Sequence, residues 1–375
     1  MIRVTTTLQR RRNRHSEDRA VARDGVLQVI TSTSRRGAEV FGVDLGDELG
    51  ARGRTVTTVA LVPGQSPSLD VPTLGKRALG LRTLLRLRRR ARSSSLVIAH
   101  GSSAVVATAL ATLGTSTPFV YRNIGDPSYW FDTPKRRRRM RWILRRARAV
   151  VALWDGSETE LRRLGGPSIA IRVIPKGVPA RRFPLVDEGS RTRARALFGA
   201  RGLTVVYIGS LTPEKNVDAA ISALGLLPDA QLLVVGAGSD RDRLEALGSR
   251  IAPGRIIFSG ALSDPAEALA AADVLILPSL TEGIPGVLIE AAFSGLPVVA
   301  TAVGGVPGVV SDGQTGILVR EPTPSALAEA IAAAGRAGRV MGMAGRSWCE
   351  ERFEIGTIAD RWDALLAELG TWSET

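Results

Sequence analysis

The chain has 375 residues, is 44% hydrophobic, and carries a formal net charge of +14, with a mean hydropathy of +0.08 and a pI of about 11.1. That is a globular composition, too long for one ordinary core and suited to two domains. One cysteine, Cys349, excludes an intrachain disulfide and points to a reducing compartment, and two histidines, His15 and His100, exclude a zinc site built from several His or Cys ligands.

Residues 1–24 lack the apolar segment of a signal peptide and are expected to form a disordered basic tail. The first ordered strand is VLQVITS (26–32). The loop TSRRG leads into a helix over AEVFGVDLGDELGARG, followed by the strand TVTTVAL (55–61). An arginine-rich helix at 80–92 precedes the strand LVIA (96–99), a helix opening at GSSAVVATAL and the strand PFVYR (118–122). A second basic helix at 135–148, the strand AVVALW (149–154), the helix SETELRRLGG and the strand IRVIPKGV close this half. Strands that are continuous apolar runs, alternating with helices, predict a parallel sheet covered on both faces.

Residues 179–190, PARRFPLVDEGS, hold two prolines and mixed charge and are expected to be the linker. A second series follows, with strands LTVVYIG, AQLLVVG, RIIFSG, DVLILPS, LPVVA and GILV and helices at 215–225, 238–248, 264–272, 286–294 and 323–334. The segment RSWCEERFEIGTIADRWDALLAEL is amphipathic and predicts a final helix. Residues 291–310 lack charge over a membrane-spanning length, but their glycines and prolines parse as helix end, strand, turn and strand. Two doubly wound domains facing each other place a cleft between the carboxyl ends of their strands. The expected division is 25–180 and 190–350, with 351–375 as a helix returning toward the first domain.

Residues 203–319 resemble the nucleotide-sugar domain of retaining GT-B glycosyltransferases of family 4. The matching pieces are YIGSLTPEKNVDAAISAL, LLVVGAGSDRDRLEAL and the long run from IIFSG to GILV, in that order. Within the run, Glu282 and Glu290 in TEGIPGVLIEA resemble the family's Glu-x7-Glu pair. VITSTSRRGAE resembles the family's glycine-rich loop, at Gly37, and RVIPKGVPARRFP its interdomain crossing; the resemblance spans roughly 25–370. It implies the GT-B fold, a nucleoside-diphosphate sugar as co-substrate, no metal, and transfer with retention.

On that resemblance Glu282 accepts hydrogen bonds from donor-sugar hydroxyls. Glu290, inside the helix, suits the paired ribose hydroxyls, since an ionised carboxylate accepts both. Gly283, Gly286 and Val287 open that helix, whose free N–H groups and positive end suit a diphosphate. Lys215 adds a cation against the charge that grows on the leaving group. Gly209 and Ser210 line the donor loop, but Ser210 stands where the family usually has a phosphate-gripping arginine. Lys176 stands where it often has asparagine. A histidine that the family often carries near the sugar is absent, and Arg122, Asn123, Asp126 or His100 are the acceptor-side candidates.

The pair Asp240 and Asp242 imitates a manganese-binding Asp-x-Asp, but lies at a helix start where aspartate is common. Gly236-x-Gly238 lacks the third glycine of a dinucleotide fingerprint. The basic helices 80–92 and 135–148 carry interleaved Leu, Met and Trp142, which suits either a solvated face or an anionic membrane surface, on the inner face of the plasma membrane of a cytoplasmic protein. No nucleic-acid module accompanies the charge. The expected function is a metal-independent transferase acting on a cell-envelope, polysaccharide, lipid-linked or small-molecule acceptor. The alternatives are a nucleotide-sugar epimerase or hydrolase of the same fold, or a catalytically silent membrane-associated binding module.

Overall fold

The structure, a computed structural model, describes residues 25–64 and 68–370; the expected basic tail lies outside them. Two six-stranded sheets form, every strand pair parallel. The first comprises β1 (Val26–Ser32), β2 (Val56–Val62), β3 (Leu96–His100), β4 (Phe119–Arg122), β5 (Ala149–Ala152) and β6 (Ile171–Val173), in the order β2-β1-β3-β4-β5-β6. Its helices are α1 (Gly37–Ala51), α2 (Leu81–Arg92), α3 (Ser102–Ala111), α4 (Pro127–Trp130), α5 (Pro134–Arg146) and α6 (Asp155–Gly165).

Strand alternation sorts the first sheet's side chains into two cores. Val97, Ala99, Phe119 and Tyr121 face α2, α3 and α5, through Leu87, Val105 and Ile143. Leu96, Ile98 and Val120 face the other way, onto Phe41, Leu45 and Leu49 of α1.

The second sheet comprises β7 (Leu203–Ile208), β8 (Ala230–Val235), β9 (Ile256–Gly260), β10 (Val274–Leu277), β11 (Val298–Thr301) and β12 (Gly316–Val319), ordered β12-β11-β10-β7-β8-β9. Around it lie α7 (Glu188–Phe198), α8 (Val217–Leu224), α9 (Arg241–Ile251), α10 (Ala266–Ala271), α11 (Gly286–Phe293), α12 (Val306–Val309) and α13 (Pro324–Phe353), the last interrupted at Gly338.

The final helix, α14 (Ile355–Glu368), returns to the first sheet. Ile355, Ile358, Trp362 and Leu366 recur at helical spacing and complete the core built on Phe41, Leu45 and Ile98. Arg54 grips Asp363 through two 3.0 Å hydrogen bonds, and Arg52 pairs with Asp360.

Three expected boundaries shift. The linker 179–190 already contains a 3₁₀ turn, Ala180–Arg182, and the start of α7, whose N-terminus is fixed by reciprocal bonds between Asp187 and Ser190. The continuous helix expected over 346–369 breaks at Glu354, where the backbone turns extended. There Val178 N–H donates to Phe353 O at 2.9 Å and Ile355 N–H to Val178 O at 3.1 Å, so the two crossings between the domains are bonded to each other. The strand expected near 304–310 is the short helix α12.

Candidate active site

In the second sheet β7 and β10 are neighbours, and successive connections leave β7 toward β8 on one side and return through β10 on the other. The loops after β7 and β10 therefore border a crevice at a topological switch point. The loop after β7 is folded by its own polar groups. The Tyr207 hydroxyl donates to Ser210 O at 2.8 Å, the Ser210 and Thr212 hydroxyls lie 3.3 Å apart, and Thr212 donates to Glu214 Oε1 at 2.7 Å. Asn216 takes a left-handed conformation (φ 52°) that asparagine tolerates, ending a 3₁₀ turn over Pro213–Lys215. Helix α8 thus starts at Val217, two residues beyond its expected start at 215.

Two cross-ties bind this loop to the one after β10: Leu280 N–H to Glu214 O at 2.9 Å, and Asn216 Nδ2 to Pro278 O at 3.1 Å. The result is a direct pair, Lys215 Nζ to Glu282 Oε1 at 2.6 Å. Both groups are mostly covered, and the charge-assisted bond fixes the two side chains in one geometry.

The loop 282–286 also touches the first domain. A Cβ on Gly283 would collide with the carbonyl oxygen of Ile124, so a glycine is what permits this approach. Gly305 N–H donates to Gly283 O at 3.0 Å and holds the loop from behind. Pro285 precedes α11 and supplies no donor. The N–H groups of Gly286 and Val287 lie in the first turn, ahead of the helix's own ladder.

Glu290 follows one turn later and is half-buried. Burial raises its pKa, and the positive charge of Lys176 opposes that shift. Lys176 comes from the crossing after β6 and is 6% exposed. Its amine fills the space that a Cβ on Gly286 would take, and lies 3.2 Å from the Cβ position of Gly37. Gly37 is exposed at the start of α1, after β1, where the first sheet has its own switch between β1 and β3. The structure thus gathers Lys215, Glu282, Glu290, Gly283, Gly286 and Val287 with Gly37 opposite, while Gly209 and Ser210 form the base of the β7 loop. Lys176 had been noticed only as a departure from the family pattern; its place depends on the missing side chain of Gly286, far off in sequence.

The acceptor-side candidates divide. His100 does not reach the surface. It is 1% exposed, shares its strand face with Leu96 and Ile98, stacks near Phe41 and Trp362, and has Nε2 2.8 Å from Gln28 Oε1. Burial holds its pKa well below the usual histidine range, with the charge of Arg122 adding to the effect. Asn123 is likewise structural: it accepts from the Tyr121 hydroxyl at 2.9 Å and donates to Gly125 O at 2.6 Å and Ser157 Oγ at 3.2 Å. Asp126 caps α4, accepting from Ser128 N–H at 2.9 Å, and is half-buried.

Arg122 is different. It is 1% exposed, lies 3.9 Å over the Phe41 ring, and its Nε and Nη1 have no hydrogen-bond partner among the described residues. Burial lowers its pKa to about 9, against the attraction of Glu39. Glu39 is itself buried and its pKa raised by desolvation, with Arg36, Arg122 and Lys176 opposing. Arg122, at the end of β4, and Glu39, in the first turn of α1, thus influence each other's charge from within the first domain.

Away from the cleft, Asp240 precedes α9 and pairs with Arg243 at 2.9 Å, and no cluster of three metal-ligating side chains occurs among the described residues. Helices α2, α3 and α5 pack side by side. Leu81 and Leu85 of α2 and Trp142 of α5 stand exposed among arginines, and Tyr129 and Trp130 of α4 lie nearby in sequence and exposed. No helix among the described residues is long and apolar enough to cross a membrane.

Residues 202–335 match the family described as Glycosyl transferases group 1, and residues 35–182 match Glycosyltransferase Family 4. Among curated proteins, the GDP-mannose-dependent alpha-(1-6)-phosphatidylinositol monomannoside mannosyltransferase of Mycolicibacterium smegmatis is 33% identical over 258 residues, 64% of this chain and 67% of that protein. The D-inositol 3-phosphate glycosyltransferase of Mycobacterium sp. (strain KMS) is 37% identical over 159 residues, 40% of this chain and 36% of that one. Among solved structures, Anabaena Alr3699/HepE in complex with UDP and glucose superposes with a TM-score of 0.81 at 22% identity, covering 92% of this chain and 99% of that one. Sucrose-phosphate synthase from Thermosynechococcus elongatus gives 0.80 at 24% identity, covering 94% and 100%. These two share the architecture, and the sequence relatives carry the kinship: the chain belongs to the group 1, family 4 glycosyltransferases of GT-B fold.

Proposed function

We propose that this glycosyltransferase moves a sugar from a nucleoside-diphosphate donor, bound in the second domain, to a saccharide or lipid-linked acceptor held by the first, with retention of configuration and without a metal ion. The observation that carries the reading is the meeting of Lys215, Glu282, Glu290 and the head of α11 at one switch point, facing Gly37 across the cleft. When the bond between the anomeric carbon and the diphosphate breaks, negative charge grows on the leaving oxygen. Lys215 and the first-turn N–H groups of α11 are fixed positive groups beside it, and such groups stabilise the transition state without reorganising. They do the work a metal ion would otherwise do. Glu282 orients the sugar through its hydroxyls and Glu290 takes the ribose. The acceptor oxygen attacks from the face the diphosphate leaves, so no protein nucleophile is required.

One relative supports a lipid-linked acceptor, being named for phosphatidylinositol monomannoside; another is named for the small molecule D-inositol 3-phosphate. The arginine-rich, leucine- and tryptophan-studded side formed by α2 and α5 suits approach to an anionic membrane, where such an acceptor is presented; it favours the inner face of the plasma membrane.

The test is a metal-free thermal-shift panel of UDP, GDP, ADP and their sugar conjugates, followed by donor turnover with and without acceptor. A ligand at about a hundred times its Kd stabilises by roughly 2.7 kcal/mol, a rise of roughly 2–4 °C for a protein this large. A shift with one diphosphate and its sugar, and turnover that needs an acceptor, fits the proposal. Donor consumption at full rate without acceptor indicates a hydrolase or epimerase, and no shift at all indicates a silent binding module.

A further inference from the structure

The Lys176 amine forms no direct ion pair among the described residues. It is almost fully buried, yet no carboxylate among the described residues comes within ion-pairing distance of its Nζ and no hydrogen bond to it is formed. Glu290 is the carboxylate nearest in effect: its Oε1 lies 3.1 Å from the Cβ position of Gly286, the same point that the Lys176 amine crowds, but the two do not pair. An amine covered on most sides, with carboxylate charge near it but no bond made to it, keeps its donors available for an anion that arrives from outside.

The place where the amine waits identifies the partner. On one side is Gly37 of the first domain; on the other is Gly286, first residue of the eight-residue helix α11, with the free N–H groups of the first turn. Both the helix end and the lysine call for an anion. The other groups nearby leave a place for a second cation. Lys215 is already joined to Glu282, and Ser210 is uncharged and engaged with Thr212. Gly286 is also what makes room: any side chain at 286 would displace the amine from its position.

Resting on the donor-site reading above, we infer that Lys176 is a second cation, beside Lys215, that receives the donor's diphosphate, bridging from the interdomain crossing to the head of α11, with Gly286 as its steric complement. Since Lys176 sits in the crossing itself, diphosphate binding is thereby tied to the segment that joins the domains.

The experiment measures, by calorimetry, the affinities of GDP and UDP and of guanosine and uridine for the full chain, for Lys176→Met, and for Lys176→Met with Ser210→Arg. The expected result is a loss of about 10- to 100-fold in diphosphate affinity on Lys176→Met, the range for a hydrogen bond to a charged group, with nucleoside affinity unchanged and a shallower dependence on salt. Adding Ser210→Arg restores part of the diphosphate affinity. The inference is overturned if Lys176→Met leaves diphosphate affinity intact. It is equally overturned if diphosphate and nucleoside affinities fall together, since Lys176 then serves only to hold Glu290 and its surroundings in place. If the unmodified chain binds neither diphosphate, the donor-site reading falls and this inference with it, an outcome distinct from a variant that behaves like the parent.

Discussion

Lys215 and Glu282 meet across the switch point of the second sheet, the amine on the loop after β7 lying 2.6 Å from the carboxylate on the loop after β10. Neither loop holds its residue in place alone; the cross-ties through Glu214 and Asn216 do so. Replacing Lys215 by alanine is expected to lower kcat by about 10²- to 10³-fold, as for removal of one fixed donor from a developing charge, while nucleoside binding stays unchanged. Steady-state kinetics beside nucleoside calorimetry checks this, and an equal loss in both removes Lys215 from the role.

In the proposed function Glu290 takes the ribose. Glu290→Ala is expected to weaken nucleotide affinity by about 10- to 100-fold, the range for bonds to an ionised group, and to do so for nucleosides as well as diphosphates. Unchanged nucleoside affinity would take the ribose away from Glu290.

His100 gives a pH signature. Its folded-state pKa lies well below the ordinary value of 6.5 because burial disfavours the charged ring. Above that value both folded and unfolded chains hold it neutral, and it adds no pH dependence. Below it, the unfolded chain takes up a proton that the folded chain refuses. Stability then falls with pH until the folded-state value is passed, at up to about 1.4 kcal/mol per unit from this one group. Urea titrations between pH 7 and 5 should show a steeper loss in the parent chain than in His100→Gln. Identical slopes would mean the ring is not held neutral.

Trp362 is fully buried between α14 and the first sheet. Trp362→Ala is expected to cost about 3–5 kcal/mol in chemical denaturation. Trp362→Phe should cost less, because the indole Nε1 has no hydrogen-bond partner among the described residues and its loss leaves nothing unsatisfied.

The basic face predicts salt-reversible adsorption. The protein should pellet with anionic vesicles at low salt and release at high salt, each arginine near the surface contributing roughly 1 kcal/mol. Reversing Lys135, Arg138 and Arg139 to glutamate, all exposed on α5, should abolish pelleting with the melting temperature unchanged. Pelleting that survives the reversal would locate the contact elsewhere.

Much of the architecture was legible because fully buried parallel strands leave continuous apolar runs, such as LVIA and DVLIL, that polar helices separate. Helix α7 was not, because EGSRTRARALF shows little apolar periodicity; the usable signal was Asp187 with Ser190 in a stretch read as linker. The Glu282 and Glu290 pair was legible through its spacing and context. His100 is an acceptor-side candidate by sequence, and the structure buries it at the end of β3. Counting alternate residues from Leu96 through Ile98 puts it on the face that α1 and α14 cover. Lys176 was illegible for another reason: its meaning lies in a vacancy at Gly286, and single-sequence patterns do not reveal which distant glycine faces which side chain.

The return of α14 also reverses the order in which the two domains can be finished during synthesis. Phe41, Leu45 and Leu49 emerge from the ribosome early, but the helix that covers them, with Ile358 and Trp362, is made only after the second domain's strands. The first domain therefore keeps one apolar flank open while the second is synthesised, and the second can close before it. Nascent chains arrested before residue 355 should be the aggregation-prone and chaperone-bound species, and the vulnerability should disappear when the final helix is released.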